Sequence, residues 1–125
     1  MEINPGAADL KIMNTPFVEI DTVEDLEGFL KRANGSVVTL FKHSNTCGVS
    51  SRAYREMSSL DFPVGLVVVQ NARPVSDAIE RRWQISHETP QVLIVQADRV
   101  VWNASHFEIK SANVEAAFQS ASNHS

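Results

Sequence analysis

Cysteine is nearly absent from this chain, Cys47 being the only one in 125 residues. A lone cysteine closes no intramolecular disulfide, so the fold must rest on its core, and a reducing compartment suits it best. Basic charge is also scarce, with 11 Lys and Arg against 15 Asp and Glu and a formal net charge of -4. Such a balance supplies no positive field for nucleic acid or an anionic lipid surface, and argues against nucleic acid as a partner. Long apolar runs are missing too, since the best stretch, Leu66 to Val69, falls far short of the ~20 residues that span a bilayer. The opening residues, MEINPGAADLKIMNTPF, lack both a basic leading region and a continuous apolar segment. No export and a cytoplasmic location are therefore expected, which makes the Asn34-Gly-Ser and Asn103-Ala-Ser glycosylation patterns accidental.

What is present is the composition of an ordinary globule, 43% hydrophobic and 21% charged. Disorder and collagen are excluded, and a chain of this length forms one domain that buries roughly two-thirds of its unfolded surface. Residues 1–15 carry no sustained period and read as a flexible arm, leaving 16–122 for the domain. Phe17 to Ile20 is a short strand, and Thr22 caps a helix whose apolar face is Val23, Leu26, Phe29 and Leu30, stopped by Asn34-Gly35. Ser36 to Lys42 is apolar enough for a strand covered on both faces. A helix from about Thr46 follows, with Val49, Ala53, Met57 and Leu60 inward. Val64 to Val69 is another covered strand, and a helix opening near Pro74 ends at the solvated Arg81-Arg82 pair. Gln91 to Gln96 and Arg99 to Ala104 are separated only by Ala97-Asp98, a gap that permits a hairpin and forbids a crossover. A helix over Ser111 to Ala121 closes the chain. The order β-α-β-α-β-α-β-β-α predicts an α/β fold with a mixed sheet flanked by helices. A thioredoxin-like domain leads, with an α/β sandwich of another strand order as the alternative.

Cys47 falls between a central strand and a helix start. Unpaired amides at a helix N-terminus favour a thiolate, which is the reactive form of cysteine. A lone cysteine in no particular context is more often a small buried hydrophobe. This one follows four polar or basic residues and precedes Gly48, which leaves its backbone approachable. His43, four residues earlier in a loop, either favours that thiolate as a protonated imidazole or is merely exposed. If Ala97-Asp98 is a simple two-residue turn, Ser105 lies opposite Pro90 and His106 near Thr89. Ser105 and His106 then either touch a substrate or end the strand in solvent. Trp83 and Trp102 suit the core or the edge of a groove. A zinc site would need His43, Cys47, His87 and His106 to converge without the usual paired spacings, so no metal is expected.

Thr46-Cys47-Gly48-Val49-Ser50 stands where thioredoxins have Cys-x-x-Cys, with serine in the resolving place. The surrounding FKHSNTCGVSSRAY, and later His87 to Val95 and Val101 to His106, resemble the monothiol bacilliredoxins over roughly residues 17 to 120. The resemblance implies a thioredoxin fold, a cytosolic setting, and removal of the small thiol bacillithiol from mixed disulfides on S-thiolated proteins. It makes Cys47 the attacking thiol and Thr89-Pro90 a cis-proline facing it. Thr46, Gly48, Val49 and Ser50 would border the substrate together with Thr89, Pro90, Ser105 and His106. Ser50 would do no redox chemistry; read without the family it is helix surface or a local backbone hydrogen bond. Bacillithiol would be a co-substrate rather than a bound cofactor, and the protein a monomer or weak dimer.

Two rivals stand beside this reading. Cys47-Gly-Val-Ser50 is one residue from the Cys-Gly-Phe-Ser of monothiol glutaredoxins, which use glutathione and can hold an iron–sulfur cluster. Their Gly-Gly-Cys/Ser-Asp turn is replaced here by Asn103-Ala-Ser-His106. The other rival is a redox-sensing or binding module whose Cys47 is modified without turnover.

Overall fold

The computed structural model describes residues 15–123, so the arm expected over 1–15 lies, up to residue 14, outside the described residues. The expected order of elements is present: β1 (Phe17–Glu19), α1 (Val23–Ala33), β2 (Val38–His43), α2 (Gly48–Met57), β3 (Val64–Val68), α3 (Arg73–Trp83), β4 (Gln91–Gln96), β5 (Arg99–Ser105), a 3₁₀ turn (His106–Glu108) and α4 (Ser111–Asn123). The five strands form one sheet in the order β1-β3-β2-β4-β5. β3 runs parallel to β1 and β2, while β4 runs antiparallel to β2 and β5.

Local chemistry sets the helix boundaries. Thr22 Oγ1 accepts the Asp25 N–H at 3.0 Å and Asp25 Oδ2 accepts the Thr22 N–H at 3.2 Å, a reciprocal cap that starts α1. Asn34 ends it in the left-handed conformation, at φ 51°. Leu26 and Phe29 are buried as expected, but Val23 is exposed, because the first residue of the helix precedes its contact with the sheet.

Side chains alternate to the two faces of the sheet. Phe41, Val64, Leu66, Val92 and Ile94 meet α2 and α4 through Ala53, Met57, Val114 and Ala121. Leu40, Val67, Leu93 and Val95 meet α1 and α3 through Leu26, Phe29, Val75 and Ile79. Gly65 permits the close approach of this second layer, since a Cβ there would lie 2.6 Å from Ile20 Cδ1 and 3.0 Å from Phe29 Cε2.

The hairpin between β4 and β5 corrects two expectations. Its turn is the two-residue type foreseen, with Ala97 at φ 52° and Asp98 at φ 61°. The straight register fails, however, because a bulge at Val101 shifts the pairing between Ile94 and Val95. Ser105 therefore lies opposite Gln91, not Pro90. His106, not Ser105, meets Pro90, its N–H donating to the Pro90 carbonyl at 3.0 Å. Packing supplies the reason, since Val100 joins the α1/α3 face while Trp102 and Ala104 join the α2/α4 face. In an unbroken strand those three residues would share one face. Arg82 is exposed in the last turn of α3, as expected, and it also bridges Glu27 of α1 at 2.7 Å and Asp98 of the turn at 2.8 Å. Trp83 Nε1 donates to the Asp98 carbonyl at 3.1 Å, so the same turn is fixed from α3. Among the described residues, no helix is long and apolar enough to cross a membrane.

Candidate functional site

Sheet direction brings the site together. Lys42, at the end of β2, pairs with Gln91, at the start of β4, and Gln91 pairs with Ser105, at the end of β5. The loop carrying Cys47, the Thr89-Pro90 segment and the Ser105-His106 corner consequently share one end of the sheet.

Cys47 is the N-cap residue of α2, in extended conformation at φ -113° and ψ 127°. Its carbonyl accepts the Ser51 N–H at 3.0 Å, while its side chain makes no capping bond. The half-buried free thiol thus sits beside unpaired amides at the start of a ten-residue helix, where negative charge is favoured. Gly48 is exposed, and a Cβ built on it would meet nothing within 4 Å, so a substrate can approach the backbone there.

The preceding loop is fixed from outside by Gln70. Its Nε2 donates to Ser44 Oγ at 2.7 Å and Thr46 Oγ1 at 3.1 Å, and its Oε1 accepts the Asn45 N–H at 3.2 Å. Gln70 was not legible as a site residue, since its only signal is a position just past β3, at the same end of the sheet. Thr46 is exposed beside Cys47 and engaged in this clamp, while Val49 is partly buried in the first turn of α2.

Ser50 and His43 differ from expectation. Ser50 is fully buried at 0% exposure, so it is neither helix surface nor a substrate contact. Its Oγ accepts the Ser44 N–H at 2.9 Å, the local backbone bond foreseen, and pairs with His43 Nδ1 at 2.8 Å. His43 is the last residue of β2 rather than part of a loop; its carbonyl accepts the Val69 N–H at 2.9 Å. The imidazole is buried against Tyr54 and Phe41, with ring centroids 4.9 and 5.5 Å away. Burial lowers its pKa below the ordinary histidine value, the bond to Ser50 opposing only in part. His43 is therefore neutral packing at neutral pH and supplies no positive charge to the thiol. Ser50→Ala leaves the Ser44 amide and His43 Nδ1 without their partner and is expected to cost about 1–3 kcal/mol. The first attack by Cys47 should stay within a few-fold of the parent, and thermal melting together with the rate of Cys47 modification checks both.

On the facing side, the Thr89-Pro90 bond is cis, as the family resemblance implied. Pro90 is buried and Thr89 half-buried. Thr89 Oγ1 pairs with His87 Nε2 at 3.1 Å, and His87 Nδ1 with Ser76 Oγ of α3 at 3.1 Å. Burial, and then the charge of Lys42, lower the His87 pKa. Ser105 is half-buried, whereas His106 is exposed, with its Nε2 3.4 Å from Glu88 Oε1. Among the described residues, no group of three or more His, Cys, Asp or Glu is placed to hold a metal ion.

Comparison with known proteins places this geometry. A candidate oxidoreductase with a thioredoxin fold is 25% identical, at a TM-score of 0.75, over 82% of this chain and 93% of that one. Fasciola hepatica thioredoxin, 12% identical, matches 82% of this chain and 97% of its own with a TM-score of 0.68. Trichomonas vaginalis thioredoxin, 19% identical, matches 85% and 97% with a TM-score of 0.66. The fold is thioredoxin-like. The sequence profile of the monothiol bacilliredoxin BrxC family matches residues 18–114, from the first strand into the last helix, and the chain belongs to that family.

Proposed function

We propose that the protein removes bacillithiol from S-thiolated cytosolic proteins by thiolate attack of Cys47. Family and fold support thiol redox chemistry. The observation that carries the finer reading is the pairing of a half-buried Cys47 at a helix start with Ser50, buried and held by hydrogen bonds, in the resolving place. Cys47 Sγ attacks the bacillithiol sulfur of the mixed disulfide; the new S–S bond forms as the old one breaks, and the client protein leaves as a thiolate. With no second thiol in the chain, an external thiol must attack the bacillithiolated Cys47, regenerating it and leaving as the mixed small disulfide. Backbone at Thr46 and Gly48, with Thr89, Pro90 and the Ser105-His106 corner, would border the client segment, and the protein would act as a monomer or weak dimer in the cytoplasm.

Intact-mass spectrometry tests this reading directly. Incubated with a bacillithiolated protein and separately with a glutathionylated one, the reduced chain should gain the mass of bacillithiol and little or no glutathione. A preference for glutathione would move it towards the glutaredoxin reading, and no adduct from either would leave a binding or sensing module.

A further inference from the structure

Val49, Arg52 and Glu56 form one stripe along α2 that begins two residues after Cys47. With His106, Phe107 and Lys110 they line a cleft of about 90 Å³ between α2 and the 3₁₀ turn. At roughly 30 Å³ per water, this is room for a carboxylate or two and not for a folded polypeptide segment. Arg52 lies over the Phe107 ring, its guanidinium carbon 6.0 Å from the centroid. Phe107 is 63% exposed, the most exposed large hydrophobic residue among the described residues. Among the described residues, neither Arg52 nor Lys110 forms an ion pair. The acid on the same wall is already engaged, since Glu56 Oε1 accepts the Ser111 N–H at 2.7 Å at the start of α4. An acidic protein thus keeps two cations without a carboxylate partner, and an exposed aromatic ring, in a cleft whose wall begins two residues after its one thiol. The His106 N–H on the Pro90 carbonyl joins this cleft to the proline side of the site.

We propose that the cleft is the carboxylate subsite for the small thiol exchanged at Cys47, with Arg52 and Lys110 gripping its anionic end and Phe107 covering its less polar face. The proposal rests on the thiol-exchange reading and adds how the small thiol is chosen. Bacillithiol, whose malate end bears two carboxylates, is a ligand of this chemical class; guanidinium and ammonium groups bind carboxylates by charge-assisted hydrogen bonds.

The test compares the reduced parent chain with the double variant Arg52→Gln/Lys110→Gln. Each is mixed with oxidised bacillithiol and separately with uncharged 2-hydroxyethyl disulfide, and adduct formation is timed by intact mass. In both reactions Cys47 Sγ bonds to one sulfur of the disulfide, the S–S bond breaks, and the second small thiol leaves as a thiolate. The double variant should lose about tenfold or more in rate towards the bacillithiol disulfide, equivalent to about 1.4 kcal/mol. Its rate towards hydroxyethyl disulfide should stay within about twofold, which also shows that the variant is folded, and added salt should slow only the parent's reaction with the anionic disulfide. An equal loss with both disulfides, or a loss with neither, would overturn the subsite alone. A parent chain that ignores bacillithiol disulfide but reacts with the hydroxyethyl compound would overturn the bacillithiol reading and the subsite with it.

Discussion

Replacing Cys47 with serine is expected to abolish uptake of the small thiol while leaving the protein as stable as before, or more so. The loss is total because a hydroxyl cannot form a mixed disulfide, and no other thiol exists in the chain to take over. The stability argument comes from the helix start. Cys47 holds the N-cap position of α2, but its side chain makes no cap bond. Serine is among the best residues at that position because its oxygen accepts an N–H of the first turn, an interaction typically worth ~1 kcal/mol. In a chain of this length that corresponds to a rise of about 4 °C in melting temperature. Intact mass with the bacillithiolated client and a thermal melt on the same sample check the two halves. Retained adduct formation would remove Cys47 from the chemistry, and a melting temperature lowered by several degrees would show that the thiol has a packing role its half-buried surface does not indicate.

Lys42→Met should stabilise the protein by on the order of 3 kcal/mol near pH 7, and the gain should vanish at high pH. Lys42 is fully buried in β2, and its Nζ has no hydrogen-bond partner. Its cross-strand neighbour Gln91, on the same face of the sheet, likewise keeps Oε1 unpartnered. Burial lowers the Lys42 pKa from 10.5 to about 8, against the opposing pull of Glu80, Glu88 and Asp77. Every tenfold loss of proton affinity on folding corresponds to about 1.4 kcal/mol. The unfolded chain keeps its proton up to 10.5 while the folded chain releases it at about 8. Between those values the unfolded state binds more protons, so the parent gains stability as pH rises through that window. Below pH 8 the penalty of the buried charge is fully present, and above 10.5 it is gone. Methionine has similar length and no charge, so the variant should lack this rise. Denaturant melts of both proteins from neutral pH to beyond 10.5, read as a difference, cancel the titration of every other group. A variant less stable than its parent at neutral pH, or a difference that does not change with pH, would show that Lys42 has a partner in solution.

The elements legible in the sequence were those in which one physical signal dominates. A run of buried branched residues gave β2 and β3, the Thr22 and Asp25 spacing gave the start of α1, and a two-residue gap gave the hairpin. The position of Cys47 at a helix start followed from the change of period around it. The bulge was not legible, because Val100 and Val101 are both apolar and periodicity cannot tell which of the two is left outside; only the packing of Val100 and Trp102 on opposite faces decides it. His43 and Ser50 were misread because their polarity suggests solvent. A histidine and a serine seven residues apart satisfy one another inside the core, and that pairing depends on how β2 turns into α2. Gln70 and Arg52 were missed for a similar reason: each acts across a distance that no local pattern records.

The bulge at Val101 gives the hairpin a parity. Every residue beyond it, up to His106 at the rim of the site, faces the side it does because the bulge takes up one extra residue of β5 against β4. Deleting Val101 would turn the bulge into a regular ladder, with Trp102 still opposite Ile94 and the His106 corner still at Pro90, whereas deleting two residues between the turn and Trp102 would set Trp102 opposite Val95 and exchange inside for outside along the rest of β5. Shortening this strand by one residue should therefore spare the thiol site while shortening it by two should not, and the spare residue at Val101 is slack that separates the distal turn from the site.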